Sequence, residues 1–293
     1  MAVVVSIAPY SFLPAQIGGQ KNIALFYKYL GLHLPLVCVT VERNKNELAE
    51  NYEAISFFSN SKLRYINPLY FFKLSKLLRQ RQATHLLIEH PYNGWLAIFL
   101  KWFCGVKLVV HSHNIEGIRF KTLGKSWWRI LWLYEKWTHR QADLNLFITA
   151  EDMEYAVQHF GLNPHKCMVV TYGIEWDTAP DNDAKKAAQK IIRERYNIPA
   201  ENKILLFAGS FNYTPNIDAV KIITQAICPL LQQQDFKYTV LFCGPHLPPD
   251  SVQEENTIAT GFVEDISTYF RAADVFLNPV LDRGGIKTKL VEA

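Results

Sequence analysis

The chain has 293 residues, 49% of them hydrophobic and 20% charged, with a formal net charge of +4. That is enough apolar material for a sizeable core and too little charge for disorder, and it excludes collagen-like, fibrous and disulfide-scaffold classes. The length favours two domains.

Short β-rich runs alternate with helix-period segments from the start, the pattern of a parallel sheet covered by helices. Val3 to Ala8 reads as a strand, Gln20 to Leu30 as a helix with Ile23, Phe26, Tyr27 and Leu30 on one face, and Leu34 to Val41 as a second strand. After a less regular stretch come a helix over Pro68 to Gln80, a strand over Thr84 to Glu89, a helix over Asn93 to Phe103 ended near Gly105, and a strand over Lys107 to His111. A helix over Ser126 to Arg140, strand Leu144 to Thr149, a short helix from Ala150 and strand Cys167 to Thr171 complete a first α/β unit.

The polar, turn-rich run Asp177 to Asp183 marks a junction. Beyond a helix over Ala184 to Arg195 the alternation restarts. Strand Lys203 to Ala208, helix Asn216 to Leu231, strand Lys237 to Cys243, helix Asp265 to Ala272 and strand Val275 to Asn278 give three clear strands, and Gly285 to Ala293 begins a helix without a stop signal. The expected division is 1–176, a linker and helix over 177–200, and a second, incomplete domain over 201–293, the chain being read as C-terminally truncated.

Charge is uneven. Residues 1–175 carry 19 Lys/Arg against 12 Asp/Glu, and the remainder 12 against 15, so the first half is expected to meet something anionic, with a merely solvated basic face as the alternative. Cys38, Cys104, Cys167, Cys228 and Cys243 are far apart with no C-x-x-C pair, which fits a reducing cytoplasm. No basic leader and no apolar run of roughly 20 residues is seen.

In doubly wound sheets ligands bind outside the carboxyl ends of the strands. After the first strand, Gly18-Gly19 sits at a helix start where N–H groups and the helix dipole favour an anion, or forms a plain turn. Neither G-x-G-x-x-G there nor G-x-x-x-x-G-K-[ST] anywhere is present, which counts against nicotinamide enzymes and P-loop ATPases. His111-Ser112-His113-Asn114-Ile115-Glu116 places two imidazoles and a carboxylate at a strand end. A metal would need a third ligand that the sequence does not propose, and His111 reads as structural. Gly209-Ser210 leads through Pro215 into a helix, a second anion-friendly start. At Asp282 to Glu292 a glycine-rich turn, two lysines and a carboxylate converge, groups suited to a diphosphate and to ribose hydroxyls.

Gly18-Gly19, the His111 to Glu116 run, Phe207-Ala208-Gly209-Ser210 with Pro215-Asn216, Gly261-Phe262-Val263, and Ala273 to Phe276 leading to Gly284 to Glu292 together resemble a family 4 glycosyltransferase of the GT-B fold. The resemblance implies two Rossmann-like domains, the donor held mainly by the second and the acceptor by the first. It implies transfer of a hexose from a nucleoside-diphosphate sugar to a glycan or lipid-linked acceptor, with retention of configuration, no metal, and no cofactor beyond the sugar-nucleotide co-substrate. By position His113 would sit beside the donor sugar. Gly18, Gly19, Gly209, Ser210, Gly284, Gly285, Lys287 and Lys289 would face the donor diphosphate, Glu292 the ribose, and Glu116 and Arg119 would support the acceptor side. Gly284 stands where many relatives carry a glutamate, and Ser210 and Asn216 where an Arg and a Lys often hold the diphosphate. A sugar-nucleotide epimerase and a non-catalytic sugar-nucleotide-binding or scaffolding protein are the competing readings. Chain 1–293 is expected to bind donor weakly or to be inactive, an expectation that robust transfer by it would refute.

Between Arg119 and Arg140, Lys121, Lys125, Arg129 and Lys136 alternate with Phe120, Trp127, Trp128, Trp132, Tyr134 and Trp137. Basic and aromatic residues together suit an anionic membrane interface, whereas the helical spacing of Trp128, Leu131, Trp132 and Glu135 suits packing on the chain's own sheet. The expected location is cytoplasmic, with peripheral contact to the membrane's inner face. No nucleic-acid partner is expected, since no reading motif appears.

Overall fold

The computed structural model describes residues 2–175, 179–248, 251–252, 255–281 and 286–293. Contacts part the described residues into two compact units, one of residues 2–173 with 286–287 and the other of residues 174–281 with 288–293.

The first unit is built in the order β1 (Val4–Ile7), α1 (Gly18–Gly31), β2 (Leu36–Val41), β3 (Glu53–Phe58), α2 (Leu69–Gln80), β4 (His85–Glu89), α3 (Gly94–Cys104), β5 (Lys107–Ser112), α4 (Glu116–Thr122), α5 (Trp128–Gln141), β6 (Leu144–Phe147), α6 (Ala150–Tyr155) and β7 (Cys167–Val169). Its seven strands are all parallel, in the order β3-β2-β1-β4-β5-β6-β7. Because helices cover both faces, β1 and β2 are buried at every position. Alternate residues serve opposite cores: Val5, Ile7, Leu86 and Ile88 pack with Leu74 of α2 and Leu96 of α3, while Val4, Cys38 and Leu87 pack with Ile23 and Tyr27 of α1.

The second unit runs α7 (Asn182–Tyr196), β8 (Lys203–Ala208), α8 (Thr214–Ile222), α9 (Cys228–Gln233), β9 (Tyr238–Cys243), β10 (Thr257–Gly261), α10 (Ile266–Ala272), β11 (Val275–Phe276) and α11 (Thr288–Glu292). Its sheet is parallel in the order β10-β9-β8-β11. One core packs Ile204 and Leu206 against α7 and α10, and the other packs Leu205 and Phe207 against α8.

Two strands depart from the sequence reading. β3 falls in a stretch without regular patterning in the sequence, and β10 makes a fourth strand in the second unit where the sequence shows three. Both are edge strands with mixed exposure, so neither carries a continuous apolar run. The helix expected over Asn216 to Leu231 is interrupted by a π turn at Ile223–Ile227, just ahead of Pro229. A proline cannot donate the regular backbone bond, and the wider turn accommodates it.

Candidate active site

Strand order reverses between β1 and β4 in the first sheet, and the crevice outside the carboxyl ends there is where doubly wound sheets bind ligands. Tyr10 follows β1, Glu89 and His90 close β4, and His111 and His113 close β5. Glu89 joins them: His113 Nε2 lies 2.7 Å from its Oε2, and His111 Nδ1 lies 3.0 Å from Oε2 and 3.2 Å from Oε1. All three are buried. Burial alone would raise the Glu89 carboxyl's pKa, but the His111 charge and the hydrogen bonds from His111 and His113 outweigh it and hold the group well below the carboxylate range. His113 is pushed down to about 4, by burial first and then by the neighbouring His90 imidazole. It is therefore neutral at pH 7, and its donation to Glu89 puts its proton on Nε2.

A second carboxylate completes the cluster. His90 Nδ1 lies 3.0 Å from Glu116 Oε1, Arg119 Nη1 donates to Glu116 Oε2 at 3.2 Å, and the His90 and His113 rings are 4.3 Å apart. Burial raises the Glu116 carboxyl, yet His90, Arg119 and Tyr92 bring it down to about 2. Glu116 is itself fixed by Glu135 of α5, whose two oxygens accept the Glu116 and Gly117 N–H groups at 2.8 Å each and so cap α4. His90 holds φ 61° and ψ 163°, a backbone region that costs a non-glycine residue about 1–3 kcal/mol and is found mostly where function demands it.

Helix α1 brings the glycine loop to this cluster. No side chain caps its first-turn N–H groups at Gly18 and Gly19. The Gln20 side chain instead accepts the Gln16 and Ile17 N–H groups and donates to Ser11 O, which fixes the loop's entry. A Cβ on Gly19 would lie 3.3 Å from Tyr10 Oη, and Tyr10 Oη is 3.0 Å from His90 Nε2. Asn22, one turn on, lies 3.2 Å from His113 Nε2. Gly19, His113, Glu116 and Arg119, singled out in the sequence, thus share one connected network, with Gly18 beside Gly19 at its edge. Glu89, His90, Tyr10 and Asn22 were not singled out there.

Glu89, His111 and His113 also place one ligand-type atom each within 4.8 Å of one another, Glu89 supplying the third group that the sequence did not propose. The Glu89 oxygens are bonded to both imidazoles, and among the described residues His111 Nε2 is buried without a hydrogen-bond partner.

In the second sheet the order reverses between β8 and β11. Gly209 follows β8 closely: a Cβ there would meet the Asn216 amide at 2.7 Å, and Asn216 Nδ2 donates to Ser210 O at 2.8 Å. Gly244 beyond β9 is equally constrained, its Cβ position lying 1.8 Å from Gly209 O. Lys289 of α11 reaches the same strand end, its Nζ donating to Ala208 O at 3.1 Å and lying 3.4 Å from Asn216 Oδ1 and 4.2 Å from the centre of the Phe207 ring. Gly209, Ser210 and Lys289 therefore converge. Glu292 is half-buried on α11, and Lys287 precedes that helix, also half-buried. Gly284 and Gly285 lie outside the described residues.

The family model described as Glycosyltransferase Family 4 matches residues 31–177, half of the chain. The chain belongs to this family. A second model, Glycosyl transferases group 1, matches residues 202–293. A chitobiosyldiphosphodolichol beta-mannosyltransferase of Debaryomyces hansenii is 24% identical over 161 residues, covering 50% of this chain and 34% of that protein. The chain thus spans about a third of that curated relative. Among solved structures, sucrose-phosphate synthase from Thermosynechococcus elongatus superposes with a TM-score of 0.75 at 14% identity, covering 100% of this chain and 78% of the other. Anabaena HepE in complex with UDP and glucose superposes with a TM-score of 0.68 at 16% identity, covering 100% and 78%. These likenesses establish the GT-B fold, two Rossmann-like α/β units. Among the described residues no helix of this family member is long and apolar enough to cross a membrane.

Proposed function

We propose that this protein transfers a hexosyl group from a nucleoside-diphosphate sugar to a glycan or lipid-linked acceptor, with retention of configuration and without a metal. The observation that carries the reading is the buried His113, held by Glu89 beside the uncapped first turn of α1. An uncapped helix start accepts a diphosphate, and the neutral His113 imidazole, its Nε2 N–H donating to Glu89, can accept one hydrogen bond from a sugar hydroxyl at Nδ1. Both carboxylates near His113 are buried and bound to imidazoles, which leaves neither oriented as a nucleophile on the sugar. In the reading this supports, the bond from the anomeric carbon to the diphosphate oxygen breaks, the acceptor oxygen bonds that carbon on the same face, and the acceptor proton passes to the departing diphosphate.

Gly209, Ser210 and Lys289 fit the diphosphate in the second unit. Gly284, Gly285 and Lys287 are also proposed for the diphosphate, and Glu292 for the ribose. Glu116 and Arg119 are proposed for the acceptor side. The Debaryomyces relative's description as a mannosyltransferase and the UDP and glucose held by HepE make nucleoside-diphosphate mannoses and UDP-glucose the first donors to try. Calorimetry with nucleoside diphosphates, followed by anomer-resolved product analysis with glycan and lipid-linked acceptors in the presence and absence of chelator, tests the proposal. A product of retained configuration that forms equally with chelator supports it. Inverted product, chelator-sensitive transfer, or an epimerised nucleotide sugar released without acceptor overturns it.

A further inference from the structure

We propose that the outer face of α2, α3 and α5 docks on the anionic surface of a lipid bilayer. Residues 54–142 contain 14 Lys/Arg and three acids, Glu89, Glu116 and Glu135, and each of those acids is at most 1% exposed. The surface contributed by this run of 89 residues therefore presents cations and no anion. The acids at its borders, Glu53 and Asp143, are paired with Arg81 and Lys101.

The same surface is apolar where soluble proteins are polar. On α2 the inward positions Tyr70, Leu74 and Leu78 are buried, and the outward side shows Phe72 at 68% exposure beside Lys76 and Arg79. On α3, Trp102 and Phe103 are 56% and 66% exposed. Phe71 joins the two helices edge-on to Phe103 with ring centres 5.7 Å apart, and a groove of about 480 Å³ lined by Phe72, Phe103, Lys76 and Arg79 runs between them. On α5, which packs beside α3, Glu135 is buried, Trp128, Leu131 and Trp132 are half-buried, and Ile130 is 72% exposed. Large apolar side chains among lysines and arginines on helices lying side by side form an interfacial surface, with rings at the headgroup boundary and cations on lipid phosphates.

A duplex nucleic acid would use the cations and gain nothing from Ile130 or Phe72. A second copy of the chain meeting this face would bring like charge against like charge. The inference does not depend on the transferase reading, and its readout is binding rather than turnover, so either can fail alone.

The test is co-sedimentation with vesicles of phosphatidylcholine alone and of phosphatidylcholine mixed with phosphatidylglycerol. We expect preference for the anionic vesicles, weakening as salt rises. A cation near such a surface is worth about five-fold in binding, so Lys73→Glu/Lys76→Glu/Arg79→Glu should lose about a hundredfold or more. Phe72→Ser/Phe103→Ser should leave only a weak, salt-sensitive association. Lys186→Glu/Lys190→Glu on α7 should bind as the parent does, and matching unfolding midpoints establish that the variants are folded. Equal binding to both vesicle types, no effect of the triple variant, RNA displacing the protein from vesicles, or a dimer dissociated by Phe72→Ser/Phe103→Ser would overturn the proposal.

Discussion

The two sheets place their polar groups at the same topological feature, the point where strand order reverses, but they equip it differently. The β1/β4 end carries two buried carboxylates, three imidazoles and an arginine in one network, whereas the β8/β11 end offers backbone, amide and hydroxyl groups with Lys289 as its cation. The first is a fixed charge pattern held by mutual neutralisation. The second is a close backbone approach made possible by glycine. In the proposed reaction the first orients the sugar and the second admits the phosphate.

Glu89→Gln should break the comparison most strongly. It removes the charge that both His111 and His113 face, and transfer should fall about 10²-fold or more, while nucleoside-diphosphate affinity measured by calorimetry stays within about threefold. Equal loss of affinity would mean that the two ends do not divide the work. Gly209→Ala places a methyl on the Asn216 amide and should do the reverse, weakening diphosphate binding about tenfold or more with the fold retained. Unchanged affinity would remove Gly209 from the donor site.

Acid should destabilise the first unit selectively. His113 and His139 are each pushed down to about 4, His139 by burial, so the unfolded chain binds their protons first. Their stabilising effect is full above pH ~6.5 and is lost as pH falls towards ~4, at up to about 1.4 kcal/mol per pH unit for each. Urea unfolding of the parent should follow this slope, and His139→Asn should flatten it. A midpoint constant between pH 7 and 5 would contradict the buried, neutral state. The smallest effect is expected of Gly117→Ala. Its Cβ would fall 2.6 Å from Trp132 Cβ, and about 1–3 kcal/mol of stability should be lost as α4 is pushed from α5.

Much of this architecture was legible in the sequence because its central strands are buried on both faces and read as unbroken apolar runs. β3 and β10 were illegible for the opposite reason: Glu53 and Ser56 interrupt the first, and Thr257, Thr260 and Gly261 the second, so neither carries such a run. His113, Glu116 and Gly18-Gly19 stood out as polar or glycine residues just past strand ends. Glu89 did not, because a carboxylate closing an apolar strand draws its meaning from imidazoles of the neighbouring strand, and pairing across a sheet is not written in spacing. One signal was available: Glu89 follows Leu86-Leu87-Ile88 directly, and a charge attached to so buried a run needs a partner. Glu135 carried the same signal within the apolar stripe of α5. His90 gave none, since its φ of 61° is set by the backbone around it.

The most direct test of the central claim, that the donor's sugar lies against His113, is the ¹⁵N spectrum of the histidines, with His113 assigned by its loss in His113→Asn. Because His113 Nε2 is engaged with Glu89, a nucleoside-diphosphate sugar should shift the His113 Nδ1 resonance while the nucleoside diphosphate alone leaves it in place. Equal shifts with both, or no shift with a donor shown by calorimetry to bind, would contradict it.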